Sequence, residues 1–175
     1  MTKCFFTTVA ACLLLISPAS AAAQSVSIAG GLSQPNGDLG NGVSSGYNAT
    51  VGLNFGAPLI PLGARIEGGI NGFNYKGGAT GNVRIMNVTA NGIFKLGLPY
   101  LIGGLGYYDR RINDTVLGSN VTDTQRALGF NVGGGVSLPL GLLSPFVEAR
   151  YHAMLGDETK GANFQFIPIT FGVKF

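Results

Sequence analysis

The chain has 175 residues, of which 46 % are hydrophobic and only 11 % charged, with 29 glycines and no tryptophan. Ordinary soluble domains carry about 25 % charge, and a mean hydropathy of +0.33 points to apolar surroundings. Gly, Asn, Thr and Ser nevertheless interrupt every apolar stretch beyond the N-terminus, so helical membrane spans of about 18 residues are excluded. No run of five like charges occurs either, so no nucleic-acid surface is expected.

The N-terminus combines the basic "MTK", the apolar "CFFTTVAACLLLIS" and the small-residue "PASAAA". This is the pattern of a secretory signal peptide over residues 1–23, with Ala21-x-Ala23 placing cleavage before Gln24. A lipoprotein box at "VAAC" is the rival, but it comes too early and is followed by the still apolar "LLLI". Cys4 and Cys12 leave with the leader, so the mature domain, 24–175, has no thiol for a disulfide or metal site. Removing Lys3 from 11 basic residues leaves 10 against 8 acidic ones, a net of about +2.

From there on the apolar period is two, not 3.6. Strands are predicted near 25–33, 46–56, 63–75, 83–96, 99–110, 124–138, 145–156 and 164–175. In the second, Tyr47, Ala49, Val51, Leu53 and Phe55 share one face, and Asn48, Thr50, Gly52 and Asn54 the other. In the third and fourth, Arg65, Glu67 and Lys95 alternate with Ala64, Ile66, Phe94 and Leu96. In the seventh, Phe146, Glu148, Arg150, His152 and Met154 alternate with Val147, Ala149, Tyr151, Ala153 and Leu155. The last sets Pro168, Thr170, Gly172 and Lys174 against Ile167, Ile169, Phe171, Val173 and Phe175.

The connections alternate in charge. The first, third, fifth and seventh, "QPNGDLGNGVS", "KGGATGN", "RINDTVLGSNVTD" and "GDETKGAN", all carry charge; the second, fourth and sixth, "GAPLIPLG", "GLP" and "PLGLLS", carry none. Charged loops at one end and uncharged turns at the other suit antiparallel strands crossing a bilayer, with both termini periplasmic. Only closure satisfies every backbone group in lipid. The fold class is therefore all-β: an eight-stranded antiparallel up-and-down transmembrane β-barrel.

The polar face is mostly Gly, Asn, Thr and Ser, which suits a crowded lumen better than a solvated exterior. A soluble periplasmic lipid-binding barrel would need the apolar face turned inward. The few strand charges form a candidate lumenal network of Arg65, Glu67, Lys95, Glu148, Arg150 and His152, since buried charges must pair. Glycine in "GGLG" and "NVGGGV" permits curvature and leaves room for aromatics. Some of Tyr100, Tyr107, Tyr108 and Tyr151 are expected to belong to the interfacial girdles.

Leader, eight alternating strands and the terminal "FGVKF" together resemble the small outer-membrane β-barrel family. That group includes the transmembrane domain of outer membrane protein A, outer membrane protein X and opacity-type surface proteins. The resemblance covers the whole mature chain and implies a Gram-negative-type outer membrane. It also implies that Phe171, Val173 and Phe175 are an assembly signal for the barrel-assembly machinery. The chain differs from full-length outer membrane protein A in carrying no peptidoglycan-binding domain after the barrel.

His152 is the only histidine. A lipid A hydrolase would need a serine beside it and an acid to orient it, but the position two residues on, where the deacylase family has its serine, is Met154. Ser137 and Ser144 are the alternatives, and nothing in the sequence brings them to it. No enzyme activity, cofactor or metal is expected: "GDETKG" and "NDT" lack calcium-loop spacing. The Asn-x-Thr sequons at Asn48, Asn87, Asn113 and Asn120 follow from Asn- and Thr-rich strands. The expected role is a monomeric structural or surface-interaction barrel supporting envelope integrity. Its partners would be outer-membrane lipid and lipopolysaccharide, and an extracellular ligand would meet the loops, especially 33–45 and 111–123. A narrow ion or small-solute channel is the alternative, and a lipid A-modifying enzyme the further one.

Overall fold

The structure, a computed structural model, describes residues 23–56, 60–78, 81–116, 119–140, 142–155 and 164–175. Its strands are β1 (Ala23–Asn36), β2 (Gly46–Gly56), β3 (Leu62–Asn74), β4 (Gly81–Lys95), β5 (Pro99–Val116), β6 (Ser119–Ser137), β7 (Ser144–Met154) and β8 (Phe164–Lys174). A short helix, α1 (Gly37–Gly42), follows β1, and a 3-10 turn (Lys76–Gly78) follows β3. Each strand pairs antiparallel with the next, and β8 returns to β1, closing the barrel. At the seam, Val26 donates its N–H to the carbonyl of Phe175 at 2.8 Å, and Phe175 donates back to Val26 at 2.9 Å. No sheet edge is left open, which is what a bilayer demands.

The period-2 pattern sorts the faces as polar inside and apolar outside. Asn48, Asn54, Asn91 and Asn131 are buried in the lumen, whereas Leu32, Val51, Val88, Leu105, Leu128 and Phe171 are each more than half exposed on the outer wall. A soluble domain would invert this arrangement. No described helix is long and apolar enough to cross a membrane; the strands supply the crossing. The turn end carries both chain ends of the barrel and the connections after β2, β4 and β6. The loop end carries the other four connections. At the turn after β4, Gly97 takes φ 94°, a left-handed conformation open to glycine.

Two expectations change. The segment 111–123 is not an open loop, because β5 and β6 continue as a ladder to Val116↔Ser119. At ~3.3 Å per residue, the 18 residues of β5 extend about 59 Å; tilted by ~45° they still reach past a ~30 Å hydrocarbon core. Similarly, residues 33–36 belong to β1, and α1 folds back so that Leu39 and Val43 are buried. The segment 1–23 predicted as a signal peptide lies outside the described residues except Ala23, which opens β1 opposite Gly56. The segment 156–163 also lies outside them.

Candidate functional site: the barrel lumen

Chemistry in this barrel concentrates in the lumen, which is layered. Its middle is a closed ring of four charges. Arg65 of β3 places Nη1 2.9 Å from Glu148 Oε2 and 3.4 Å from Glu67 Oε2. Arg150 of β7 places Nε 2.8 Å from Glu148 Oε1, and its Nη2 reaches Glu67 Oε1. Each carboxylate thus bridges both guanidiniums, and the ring has no net charge. All four residues are 1–3 % exposed, so water screens little of the interaction; an isolated ion here would carry a desolvation penalty of several kcal/mol.

Neutral groups extend the hydrogen bonding around the ring. The Tyr100 hydroxyl donates to Glu148 Oε2 at 2.6 Å, Arg65 Nε donates to Asn54 Oδ1 at 2.8 Å, and Thr170 donates to the Glu148 carbonyl at 3.1 Å. Behind them Asn131 donates to Asn91 at 2.8 Å, and Asn91 to Thr89 at 2.9 Å. Missing side chains make the room. A Cβ on Gly52 would lie 3.3 Å from the Arg65 stem, and one on Gly135 would lie 2.7 Å from the Tyr100 ring.

Toward the loop end the lumen becomes apolar. Leu39, Phe73, Ile85, Tyr108, Met154 and Phe166 belong to one buried cluster. His152 belongs to this layer rather than to the ring. Its imidazole stacks on Phe166 with centroids 4.9 Å apart and planes at 13°, and its Nδ1 shares a 2.9 Å hydrogen bond with the Tyr108 hydroxyl. Among the described residues no serine hydrogen-bonds to it. Ser144 lies at the opposite end of β7, about 26 Å away along a strand rising ~3.3 Å per residue, and Ser137 pairs with Phe146 near the same end. Nothing here forms a nucleophile–base pair with His152.

At the turn end the lumen opens into a vestibule of about 590 Å³ bordered by Lys95, Tyr100 and Lys174. Lys174 Nζ lies 5.2 Å from the Tyr100 ring and 5.4 Å from the Phe146 ring. Lys95 is exposed at this mouth, and among the described residues no ion pair joins it to the ring. The six predicted residues are therefore divided: four meet in the ring, His152 lies above it and Lys95 below. No group of three metal-ligating side chains occurs among the described residues.

The tyrosines are divided too. Tyr107 is half exposed on the outer wall, whereas Tyr100 and Tyr108 are buried inside, so these two are not among the girdle residues. Adjacent strand residues face opposite ways, so Tyr107 and Tyr108 could not both face lipid. Arg110, also turned inward, caps the apolar layer with its guanidinium 3.8 Å from the Phe164 ring centroid. The "ITFGVKF" tail presents Phe171 and Phe175 outward, 64 % and 55 % exposed.

Comparison with solved structures finds the same architecture. Neisserial surface protein A is 14 % identical, with 89 % of this chain and 98 % of that one covered and a TM-score of 0.61. Ail, the attachment invasion locus protein of Yersinia pestis, is 17 % identical over 89 % and 100 %, with a TM-score of 0.59. A major outer membrane protein of Thermus thermophilus is 15 % identical over 87 % and 98 %, with a TM-score of 0.58. Among curated proteins none matches closely enough to be called a relative. The family model for the outer membrane protein beta-barrel domain matches residues 7–175, so with its closed eight-stranded wall the chain belongs to the outer membrane protein beta-barrel family.

Proposed function

We propose that this protein is a closed structural barrel of a Gram-negative-type outer membrane, exported by its N-terminal leader, that braces the envelope and presents its loop end to the exterior. The observation that carries this reading is the double seal of the lumen. The neutral ion ring blocks the middle, and the apolar layer around Phe73 and Phe166 blocks the loop-end half. A sealed lumen leaves the outer wall and the projecting β5–β6 hairpin as the working surfaces. It also weighs against the channel reading, since a permeating ion would have to leave water for hydrocarbon-like surroundings.

The likeness to the attachment invasion locus protein is one of fold, so the surface role rests here on the hairpin alone. An enzymatic role finds no support at His152, whose neighbours are Tyr108 and Phe166. Assembly through Phe171, Val173 and Phe175, and a monomeric state, complete the proposal.

Orientation is directly testable because the leader holds both cysteines. A membrane-impermeant maleimide applied to intact cells should label Lys76→Cys at the loop end. Leu142→Cys at the turn end should label only after the outer membrane is permeabilised. The reverse pattern would overturn the orientation. Loss of the protein should also sensitise cells to detergent, and unchanged sensitivity would remove the envelope role.

A further inference from the structure

The apolar belt of the outer wall is notched at more than one glycine, and one of these notches, at Gly68, lies beside a basic cluster. Successive registers align Val51, Gly68, Val88, Tyr107 and Leu128 as one row across β2 to β6. In that row Gly68 has no side chain, and a Cβ built on it would meet nothing within 4 Å. The result is a groove of about 580 Å³ on the lipid-facing wall, walled by Val51, Met86, Val88 and Tyr107, with Asp109 at its loop-end limit.

Immediately toward the loop end the same wall becomes basic. Arg84 of β4 sits directly opposite Arg111 of β5, an arrangement of like charges that is unfavourable without a counter-charge. Asp109 supplies one anion, at 3.0 Å from Arg111 Nε and 3.0 Å from Arg126 Nε. Among the described side chains, three guanidiniums against one carboxylate leave two positive charges in excess. Among the described residues no carboxylate forms an ion pair with Arg84. Arg111 and Arg126 are at least half exposed, so their remaining donors face outward. Arginine presents a planar fork that matches phosphate oxygens. Arg84 lies four residues along β4 from Val88, about 13 Å at ~3.3 Å per residue, so the cluster stands where a headgroup would sit above a chain lying in the groove.

We infer that this wall is a binding site for a phosphorylated acyl glycolipid of the outer leaflet, with one acyl chain in the Gly68 groove and phosphate between Arg84 and Arg111. Two excess charges match a headgroup with two phosphates better than a glycerophospholipid with one. Continuity with the exposed apolar belt favours lipid over a protein partner, whose interface would have to displace lipid from Val51 and Val88. The inference rests on the membrane orientation proposed above, but binding in detergent does not depend on that orientation, so the two fail separately.

The test uses native mass spectrometry of the folded protein in non-ionic detergent, titrated with bis-phosphorylated lipid A. Wild type should retain one lipid. Arg84→Gln/Arg111→Gln should weaken retention at least tenfold, and Gly68→Leu, which fills open space without touching the barrel, should do so as well. Inorganic phosphate in excess should not displace the lipid, and dephosphorylated lipid A or phosphatidylglycerol should be retained at least tenfold more weakly. Heat-modifiable gel migration establishes that each variant is folded. Equal retention by wild type and both variants would overturn the site. Displacement by inorganic phosphate would overturn the role of the groove, and equal retention of phosphatidylglycerol the assignment to a glycolipid.

Discussion

Glu148 and Arg65 lie 83 positions apart in sequence and meet across the lumen at 2.9 Å. Their strands are not neighbours: β3 and β7 belong to opposite walls, so the pair spans the barrel. Glu148 also receives Arg150 and Tyr100. It is therefore the acceptor on which the interior is organised, and Arg65, together with Arg150 on Glu67, ties the two walls together.

Removing that acceptor should be severe. Glu148→Ala leaves two buried guanidiniums facing Glu67 alone and also strands the Tyr100 hydroxyl. Breaking one partner from a buried ion network typically costs ~3–5 kcal/mol. Urea titration of the folded protein in detergent should show that loss as a lower unfolding midpoint. In the cycle with Arg65→Ala the two effects should be non-additive by ~1–3 kcal/mol, as expected of contacting charges. Additive effects would mean that the two groups stabilise the barrel independently.

The ring alone should not gate conduction. Planar-bilayer recordings of wild type should be silent, and Glu148→Ala should remain silent because the layer around Phe73 and Phe166 is untouched. Combining Glu148→Ala with Phe166→Ala and Leu39→Ala should produce measurable current. Conductance in wild type, or in Glu148→Ala alone, would show that the apolar layer does not seal the lumen.

His152 offers a sharper test of its setting. His152→Phe preserves an aromatic surface against Phe166 but removes the acceptor or donor that serves the Tyr108 hydroxyl at 2.9 Å. Leaving a buried hydroxyl unpaired costs ~1–3 kcal/mol. Tyr108→Phe in the same background should restore most of that loss, because both polar groups are then gone. Lipid A recovered from cells carrying either variant should match the wild-type profile by mass spectrometry.

Much of this was legible from parity. Arg65, Glu67, Glu148 and Arg150 fall on the polar alternates of β3 and β7, and an antiparallel ladder preserves that parity around the wall. What parity could not give is height. Lys95 shares the inward face of its strand yet ends at the turn-end mouth, because side chains meet across a lumen only at matching levels along the barrel axis. Tyr100 and Tyr108 were obscured for a different reason. An aromatic ring is acceptable to both lipid and lumen, so only the adjacent Tyr107 forces a choice for Tyr108, and only the close approach of Gly135 reveals the seat of Tyr100. The inward turn of Leu39 depends on α1 closing back over the barrel, which no strand periodicity encodes.

Two glycines that look alike in sequence should behave oppositely. A Cβ on Gly135 would lie 2.5 Å from the Val147 carbonyl oxygen and 2.7 Å from the Tyr100 ring, whereas one on Gly68 meets nothing within 4 Å. Gly135→Ala must displace backbone or the ring that holds Glu148, a core rearrangement of the kind that costs ~1–3 kcal/mol. Gly68→Ala should fold like wild type. Heat-modifiable migration across a urea series would separate them, and equal midpoints would show that the Tyr100 seat is adaptable.

The terminal Phe175 has two separable contributions. Its backbone exchanges two hydrogen bonds with Val26 at the seam, worth ~1–3 kcal/mol together if each contributes ~0.5–1.5 kcal/mol. The β1–β8 ladder continues from Ser27↔Lys174 to Asn36↔Gln165 without it. Deleting Phe175 should thus lower stability modestly in protein refolded in detergent, and Phe175→Ala, which keeps the backbone bonds, should lower it less. Neither change explains a failure to reach the membrane in cells. If the ring is the feature read during assembly, both variants should accumulate as unfolded periplasmic protein while refolding normally in vitro. Normal insertion of Phe175→Ala in cells would show that the exposed aromatic is not what the assembly step reads, leaving Phe175 only its part in closing the seam.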